Sequence, residues 1–530
     1  IIDYRQGTLL VSAAAGSGKT AVLVQRLLDW VVQDGKNIDE FLVVTFTRAA
    51  AGQMRTKIRR ALEDMQEQHP DDQHIIRQLS LVHRAHIMTI DSFCKQVVDD
   101  NFQFLGIDPA MRIMDETEGV LMQDDVLTAV LEQVYETDAE GMAELHRYMG
   151  EIRENEKIRR LVGKLYQQAN SMPEPKEWLQ SAVQEVQAEE PEALYRQTWM
   201  KLLVKECKEL YREVAELPER IAAENDRLEE GYRPKQYDKY QQYFREECRL
   251  AEAVCGAQTY VDLKQAFCTD GRAYKRFIWK NSGMPESHYA TELWQTYSEG
   301  KKAAAELVKP SMEEIVEQQK AVAPILTTVL RLTERFMDRY REEKQNKNCM
   351  DFGDVEHYAL QALSEGMQDG APIPTETALQ LRNRYTEILI DEYQDSNDLQ
   401  EAILTSIARK QEGNYTNLFM VGDVKQSIYK FRMARPQLFQ RKYQTYSDDL
   451  AAEGVTKKIE LRQNFRSRRE VLEAVNLWFY QIMTEALGGI DYNEQAALVP
   501  GREYESMEQP GDDRTELWIL DPYTKEDENE

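Results

Sequence analysis

Ala13-Ala14-Ala15-Gly16-Ser17-Gly18-Lys19-Thr20 lies between an apolar run, Thr8–Ser12, and an amphipathic helical pattern, Ala21–Val32. Nothing else in the chain restricts its fold as much. Gly16 and Gly18 can take backbone conformations closed to other residues and let the main chain approach a bound group closely. A glycine turn between a strand and a helix aims its N–H groups at one point and adds the positive end of the helix. Such a turn is a cradle for phosphate, with Lys19 reaching the β- and γ-phosphates of ATP and Thr20 ligating Mg²⁺. Ala13 stands where such loops usually begin with glycine. The plainer alternative is a small-residue turn for tight packing, and it does not account for Gly-Lys-Thr in register with the helix start.

A strand, a phosphate loop and a helix open a parallel α/β sheet, and the pattern repeats. Phe41–Thr45 is an apolar strand followed by a helix over Ala49–Gln66, and Ile87–Ile90 a short strand followed by a helix from Ser92. Beyond Ala110 strands stop. Up to Lys347 the chain is rich in Glu, Gln, Lys, Leu and Ala at helical spacing, broken at "SMPEPKEW" and "GMPESH", without a repeat. Strands return at Glu387–Asp391, Leu418–Gly422 and Lys458–Leu461, the last followed by a helix from about Ser467. The fold class is α/β, one parallel sheet assembled from two separated segments with an all-helical insertion between them. A second α/β domain is expected from about 458, and the final "PYTKEDENE" reads as an arbitrary stop or a linker rather than a domain end.

The 530 residues exceed one core. The net charge of −27 argues against a general polyanion binder, but its distribution does not. Phe41–Leu62 carries Arg48, Arg55, Lys57, Arg59 and Arg60 without an acid, and Val424–Ser447 carries Lys425, Lys430, Arg432, Arg435, Arg441 and Lys442, again without one. Both bracket strand ends. Six cysteines without a C-x-x-C pair read as reduced thiols in a cytoplasmic protein with no zinc site, Cys248 and Cys255 as small buried residues on one helix face. No apolar run reaches the roughly 18 residues of a membrane span, and no basic-then-apolar segment opens the chain.

Four further stretches carry candidate chemistry. In "EILIDEYQD", Asp391 ends a buried strand, the place for a carboxylate that holds Mg²⁺. Glu392 beside it can orient or deprotonate a water. In "VGDVKQSIYKFR", Gln426 can bond the γ-phosphate or that water, while Tyr429 and Phe431 among bases read equally as stacking platforms for nucleobases or as core residues. In "LRQNFRS", Arg466 can act as an arginine finger and Phe465 can stack on a base, against the alternative of a salt-bridged arginine at a helix start. Thr47 and Arg48 in "VVTFTR", and Ser92 in "IMTIDSFC", suit a phosphate backbone at helix starts, or are ordinary caps.

Taken in order, these stretches resemble the superfamily 1A DNA helicases of the UvrD, Rep and PcrA type. "VSAAAGSGKTAVLVQR", "TIDSFC", "MDFGDVEHYAL", "LIDEYQDSN" and "GDVKQSIYKFRMARPQLF" are similar to the AddA branch of ATP-dependent helicase/nuclease proteins related to RecB. The resemblance implies a RecA-like P-loop motor domain over 1–109 and 348–457, a helical insertion over 110–347, and the start of a second RecA-like domain over 458–530. It implies ATPase roles for Lys19, Thr20, Asp391, Glu392, Gln426 and Arg466, adenine stacking by Phe465, and strand contacts by Thr47, Arg48, Ser92, Tyr429 and Phe431. It implies ATP and Mg²⁺, single-stranded DNA and duplex ends as ligands, and an AddB-like partner in a heterodimer. It further implies that an adenine-recognising glutamine precedes residue 1, and that further coupling motifs and a nuclease domain follow residue 530. The chain then reads as an N-terminal fragment without nuclease activity of its own. Gln53 replaces the family's frequent Glu, and Asp91 its usual His. Two alternatives stand: a stand-alone UvrD-like repair helicase, and a non-motor P-loop scaffold.

Overall fold

The computed structural model describes residues 2–150, 155–187, 190–226, 237–268, 289–484, 490–505 and 515–516. The "GMPESH" break and the terminal "PYTKEDENE" lie outside them. Contacts divide the chain into two units, residues 1–130, 163–178 and 335–530, and residues 131–162 and 179–334.

In the first unit the elements that position the site are β1 (Thr8–Ala13), α1 (Lys19–Val32), β2 (Phe41–Thr45), α2 (Arg48–Gln68), β3 (His86–Thr89) and α3 (Ile90–Asp100). After the insertion come α4 (Phe352–Leu363), β4 (Glu387–Ile390), α5 (Asp398–Ser406), β5 (Leu418–Gly422), α6 (Gln437–Thr445), β6 (Thr456–Leu461) and α7 (Arg469–Ile482). The strands form a parallel sheet in the order β6-β1-β5-β4-β2-β3. Strands from both ends of the sequence are interleaved, so either segment alone keeps one adjacent pair, β2–β3 or β5–β4, and leaves the strand that carries the glycine loop without a partner or absent. β1 lies between β5 and β6, Leu9 opposite both Phe419 and Lys457.

The apolar strands are split by their period of two. Leu9, Val11, Val43, Leu389, Phe419 and Val421 face α1 and α2, and Leu10, Leu42, Val44, Ile388, Ile390 and Met420 face α3, α4 and α5. Helices on both faces explain why the strands read as continuous apolar runs.

Three details differ from the sequence reading. α1 starts at Lys19 rather than Ala21, because Gly18 (φ 90°) turns the chain in the left-handed region directly before it. The strand expected to open a second α/β domain, Lys458–Leu461, begins at Thr456 and pairs along β1 as the edge of this same sheet. Cys248 and Cys255 are half-buried rather than buried.

A buried ion pair joins the first helix to the fourth strand. Arg26 Nε and Nη2 donate to Glu387 Oε2 and Oε1 at 2.8 and 2.5 Å, Trp30 Nε1 donates to Glu387 Oε2 at 3.0 Å, and the guanidinium lies 4.6 Å from the centre of the Phe419 ring. Both side chains are out of solvent. The geometry is bidentate and the carboxylate fully engaged, the conditions under which a buried pair is tolerated.

The second unit is helical. Its apolar core includes Met200, Cys207, Phe244, Val254, Leu263 and Ala304. Within it Tyr211 and Tyr297 hydroxyls meet at 2.8 Å, and Tyr297 and Lys301 both donate to Glu247.

Because removing one partner strands a buried charge, we expect Glu387→Ala to lower unfolding free energy by about 3–5 kcal/mol, and Arg26→Met with Glu387→Leu to recover most of it. Denaturant midpoints of the three chains measure this. Equal losses in the single and double variants would contradict it.

Candidate functional site

β1, β5 and β4 are neighbours, so the loops leaving their carboxyl ends are neighbours too. That brings residues 14–18, 391–395 and 423–426 to one crest of the sheet, where ligands of open parallel sheets bind.

The loop after β1 is held from two sides. Ala13 is packed in the core as the last residue of its strand. Ala14 N donates to Leu461 O at 2.9 Å and Ser17 N to Ala14 O at 3.1 Å. Gly16 has φ 70°, and a Cβ there would lie 2.7 Å from the Asn464 side chain. Asn464 clips the loop: its Nδ2 donates to Ala15 O at 2.7 Å, and Phe465 N donates to Gly16 O at 3.0 Å. Ser17 Oγ is buried and makes no hydrogen bond. A left-handed glycine pair, an orphaned hydroxyl and a helix start with Lys19 and Thr20 in its first turn fit a phosphate chain.

Lys19 Nζ meets Glu392 Oε2 at 2.7 Å and donates to Gln426 Oε1 at 3.4 Å. Positions 373 and 407 residues apart are thereby joined. Gln426 Nε2 donates to Asp423 Oδ2 at 2.7 Å, and Lys425 Nζ pairs with Asp423 Oδ1 at 2.9 Å. Glu392 has φ 53°, a strained backbone for a residue with a side chain, and its N–H donates to Asp391 Oδ1 at 3.1 Å. The Asp391 carboxyl is pushed up to about 6 by burial and then by the Glu392 charge, with Lys19 opposing. Asp395 is pushed up to about 6 for the same two reasons. Lys19 is the positive charge that opposes both shifts.

Arg466 and Phe465 follow the clip. Asn464 Oδ1 accepts from Arg466 N and Ser467 N at 2.8 Å each. The Arg466 guanidinium is exposed and makes no ion pair among the described residues. The Phe465 ring is half exposed, and Gly501 leaves room for it, since a Cβ there would lie 2.8 Å from the ring.

The predicted strand-contacting residues fall around one aromatic cluster. Tyr429 lies 5.6 Å from Phe431 and 4.6 Å from Phe46, between ring centres, and Arg432 sits 6.0 Å from the Phe46 ring and 5.8 Å from that of Tyr429. Phe431 and Ile428 are each 70% exposed, so Phe431 is not a core residue. Arg48 is exposed at the start of α2, which Thr47 caps by accepting from Ala50 N at 3.1 Å. Ser92 and Thr89 hydroxyls meet at 2.9 Å at the start of α3. Asp91 beside them is raised by burial, against the pull of Arg432 and Arg48.

Sequence reasoning missed Phe46, Asn464 and Gln394. Phe46 is an ordinary aromatic after a strand, and Asn464 and Gln394 each join near neighbours to a partner far away in sequence, Ala15 and Asp423 respectively. Among the described residues no group of His, Cys, Asp and Glu forms a ready-made metal cluster, and no helix is long and apolar enough to cross a membrane.

A raised carboxylate has released its proton in the unfolded chain, near pH 4, before it does so in the folded one, near pH 6. Stability therefore falls across that window. We expect Asp391→Asn to gain on the unsubstituted, metal-free chain between pH 4 and pH 6 by up to about 2–3 kcal/mol, measured by denaturant midpoints against pH. A constant difference would contradict the burial of that charge.

The family model for the UvrD/REP helicase N-terminal domain matches residues 1–447. An ATP-dependent helicase/nuclease protein of Lachnoclostridium phytofermentans, the A component of its enzyme, is 38% identical over 98% of this chain and 38% of its own length. The protein of the same name from Clostridium kluyveri is 35% identical over 98% of the chain and 41% of its own, and that from Acetivibrio thermocellus 36% over 94% and 40%. The chain thus spans about two-fifths of the length of these curated relatives.

Proposed function

We propose a function from the premise that this chain belongs to the UvrD/REP helicase family: it forms the leading part of the ATP-driven motor of a 3′-to-5′ DNA helicase of the AddA type. In the whole protein that motor would unwind duplex ends at double-strand breaks for recombinational repair. Its partners there would be a nuclease activity and an AddB-like second subunit, in the cytoplasm. The observation that carries the reading is the junction of Lys19, Glu392 and Gln426, with an aromatic pair, half-buried Tyr429 and exposed Phe431, beginning three residues after Gln426. A nucleotide-gated scaffold has no use for a carboxylate aligned on the P-loop lysine or for a bare Phe431 among arginines. The AddA-type wording of the motifs and 38% identity along nearly all of the chain favour the nuclease-linked branch over a stand-alone repair helicase.

The residues divide the work by chemistry. The N–H groups of 14–18 and the Lys19 ammonium bind the triphosphate of ATP. Thr20 and Asp391 would hold Mg²⁺, which when bound neutralises charge on the phosphates. Lys19 is held by Glu392 at 2.7 Å; its transfer to phosphate frees Glu392 to accept a proton from the attacking water. Gln426, bonded to Lys19, would bond that water or the γ-phosphate, and Arg466 would offer its charge to the phosphates. Phe465 presents a half-exposed face to a base. Farther along the same crest, past the ends of β5, β2 and β3, Tyr429 and Phe431 stack on single-strand bases, while Arg48, Thr47, Ser92 and Arg432 meet phosphates.

In the intact protein, Lys19→Ala is expected to abolish DNA-stimulated ATP turnover, and unchanged turnover would contradict the reading. Phe431→Ala should weaken binding of a single-stranded oligonucleotide by about 1–3 kcal/mol, with nucleotide affinity kept. Anisotropy titrations measure both, and an unaltered strand affinity would remove Phe431 from the interface.

A further inference from the structure

We propose that Gln394 is the positioning residue through which the hydrolytic carboxylate and the strand-contacting segment act on each other. This rests on the motor reading above and adds to it a specific mechanical link.

Gln394 is 1% exposed, in the turn between β4 and α5. Both ends of its amide are engaged. Nε2 donates to Glu392 Oε2 at 2.8 Å and to Asp395 Oδ2 at 3.2 Å, and Oε1 accepts the N–H of Asp423 at 3.0 Å. The oxygen of Glu392 that it holds is the one that meets Lys19. Glu392 sits in a strained left-handed conformation, which persists only where its surroundings over-determine it. Its N–H donates to Asp391 Oδ1 and its carbonyl accepts from Asp395 N, while Lys19 and Gln394 hold its carboxylate.

The other end of the amide grips the segment that leads to the aromatic platform. Asp423 organises that segment, accepting from Lys425 N at 3.1 Å and Gln426 Nε2 at 2.7 Å, and six residues later Tyr429 packs on Phe46. A shift of residues 423–431 on strand binding therefore moves the donor on Gln394 Oε1, and with it the donor on Glu392. A second observation shows that the fold makes room for this contact. A Cβ on Gly422 would lie 2.5 Å from Gln394 Oε1 and 3.0 Å from the Phe439 ring, so only glycine admits the amide here. Glutamate at 394 would add a charge among Asp391, Glu392 and Asp395, and asparagine is one methylene short.

The test measures ATP turnover of the intact protein with and without a single-stranded oligonucleotide, across ATP concentrations, for Gln394→Met, Gly422→Ala and the double variant. Methionine keeps the volume and removes all three hydrogen bonds. Each single variant is expected to lower the ratio of stimulated to unstimulated turnover about tenfold, with KM for ATP within about twofold. The double variant is expected to be no worse than either, because both break one link. A ratio kept in either single variant overturns the proposal, as do stimulated and unstimulated turnover falling in equal proportion, or losses that add in the double variant. An unsubstituted protein whose turnover ignores DNA overturns the motor reading instead, so the two failures are distinguishable.

Discussion

The Lys19 ammonium, shared between Glu392 and Gln426, is the contact on which the rest depends. It exists because β1, β5 and β4 are adjacent parallel strands whose carboxyl ends open on one crest. Adjacency requires that the two α/β segments fold as one sheet, whatever the helical insertion between them does. The buried Arg26–Glu387 pair serves the same end, fixing α1, whose first residue is Lys19, to β4, whose exit carries Asp391 and Glu392. Misplacing the helix by one residue would take the ammonium from both partners.

The crest is also a junction between two surfaces. On one side lie the glycine loop, Asn464 and the exposed Arg466; on the other, Phe46, Tyr429 and Phe431 among arginines. The short segment 423–428 leads from one to the other, and it is bonded to Lys19 through Gln426 and to Gln394 through Asp423. On the proposed function, a phosphate chain replacing Glu392 on Lys19 would alter one end of this network, and a nucleic-acid strand replacing solvent on Phe431 would alter the other. Coupling of that kind is reciprocal by thermodynamic necessity.

Much of this was legible in the sequence because each motif is local and obeys a period. The glycine turn sits between an apolar strand and a helix, Asp391 ends an apolar run, and Phe431 stands among bases. What sequence left open was decided by contacts between distant residues. Tyr429 and Phe431 read equally as core or platform, and the exposure of Phe431 separates the two. Glu387 looked like an ordinary strand start, since its partner lies 361 residues earlier. Lys458–Leu461 read as the opening of another domain because strand pairing between residues so far apart in sequence leaves no periodic trace, yet β6 lies along β1. Asn464 and Gln394 are polar residues of common type, and their roles come from what they bridge.

The central claim is that the P-loop lysine, the β4 carboxylates and the aromatic platform are one coupled site. The most direct measurement is the affinity of the protein for a single-stranded oligonucleotide, with and without a saturating non-hydrolysable ATP analogue and Mg²⁺, in unsubstituted and Lys19→Ala forms. Coupling predicts an affinity change of about fivefold or more in the unsubstituted protein and none in the variant. An unsubstituted protein that binds the analogue and the strand, each indifferent to the other, would contradict it.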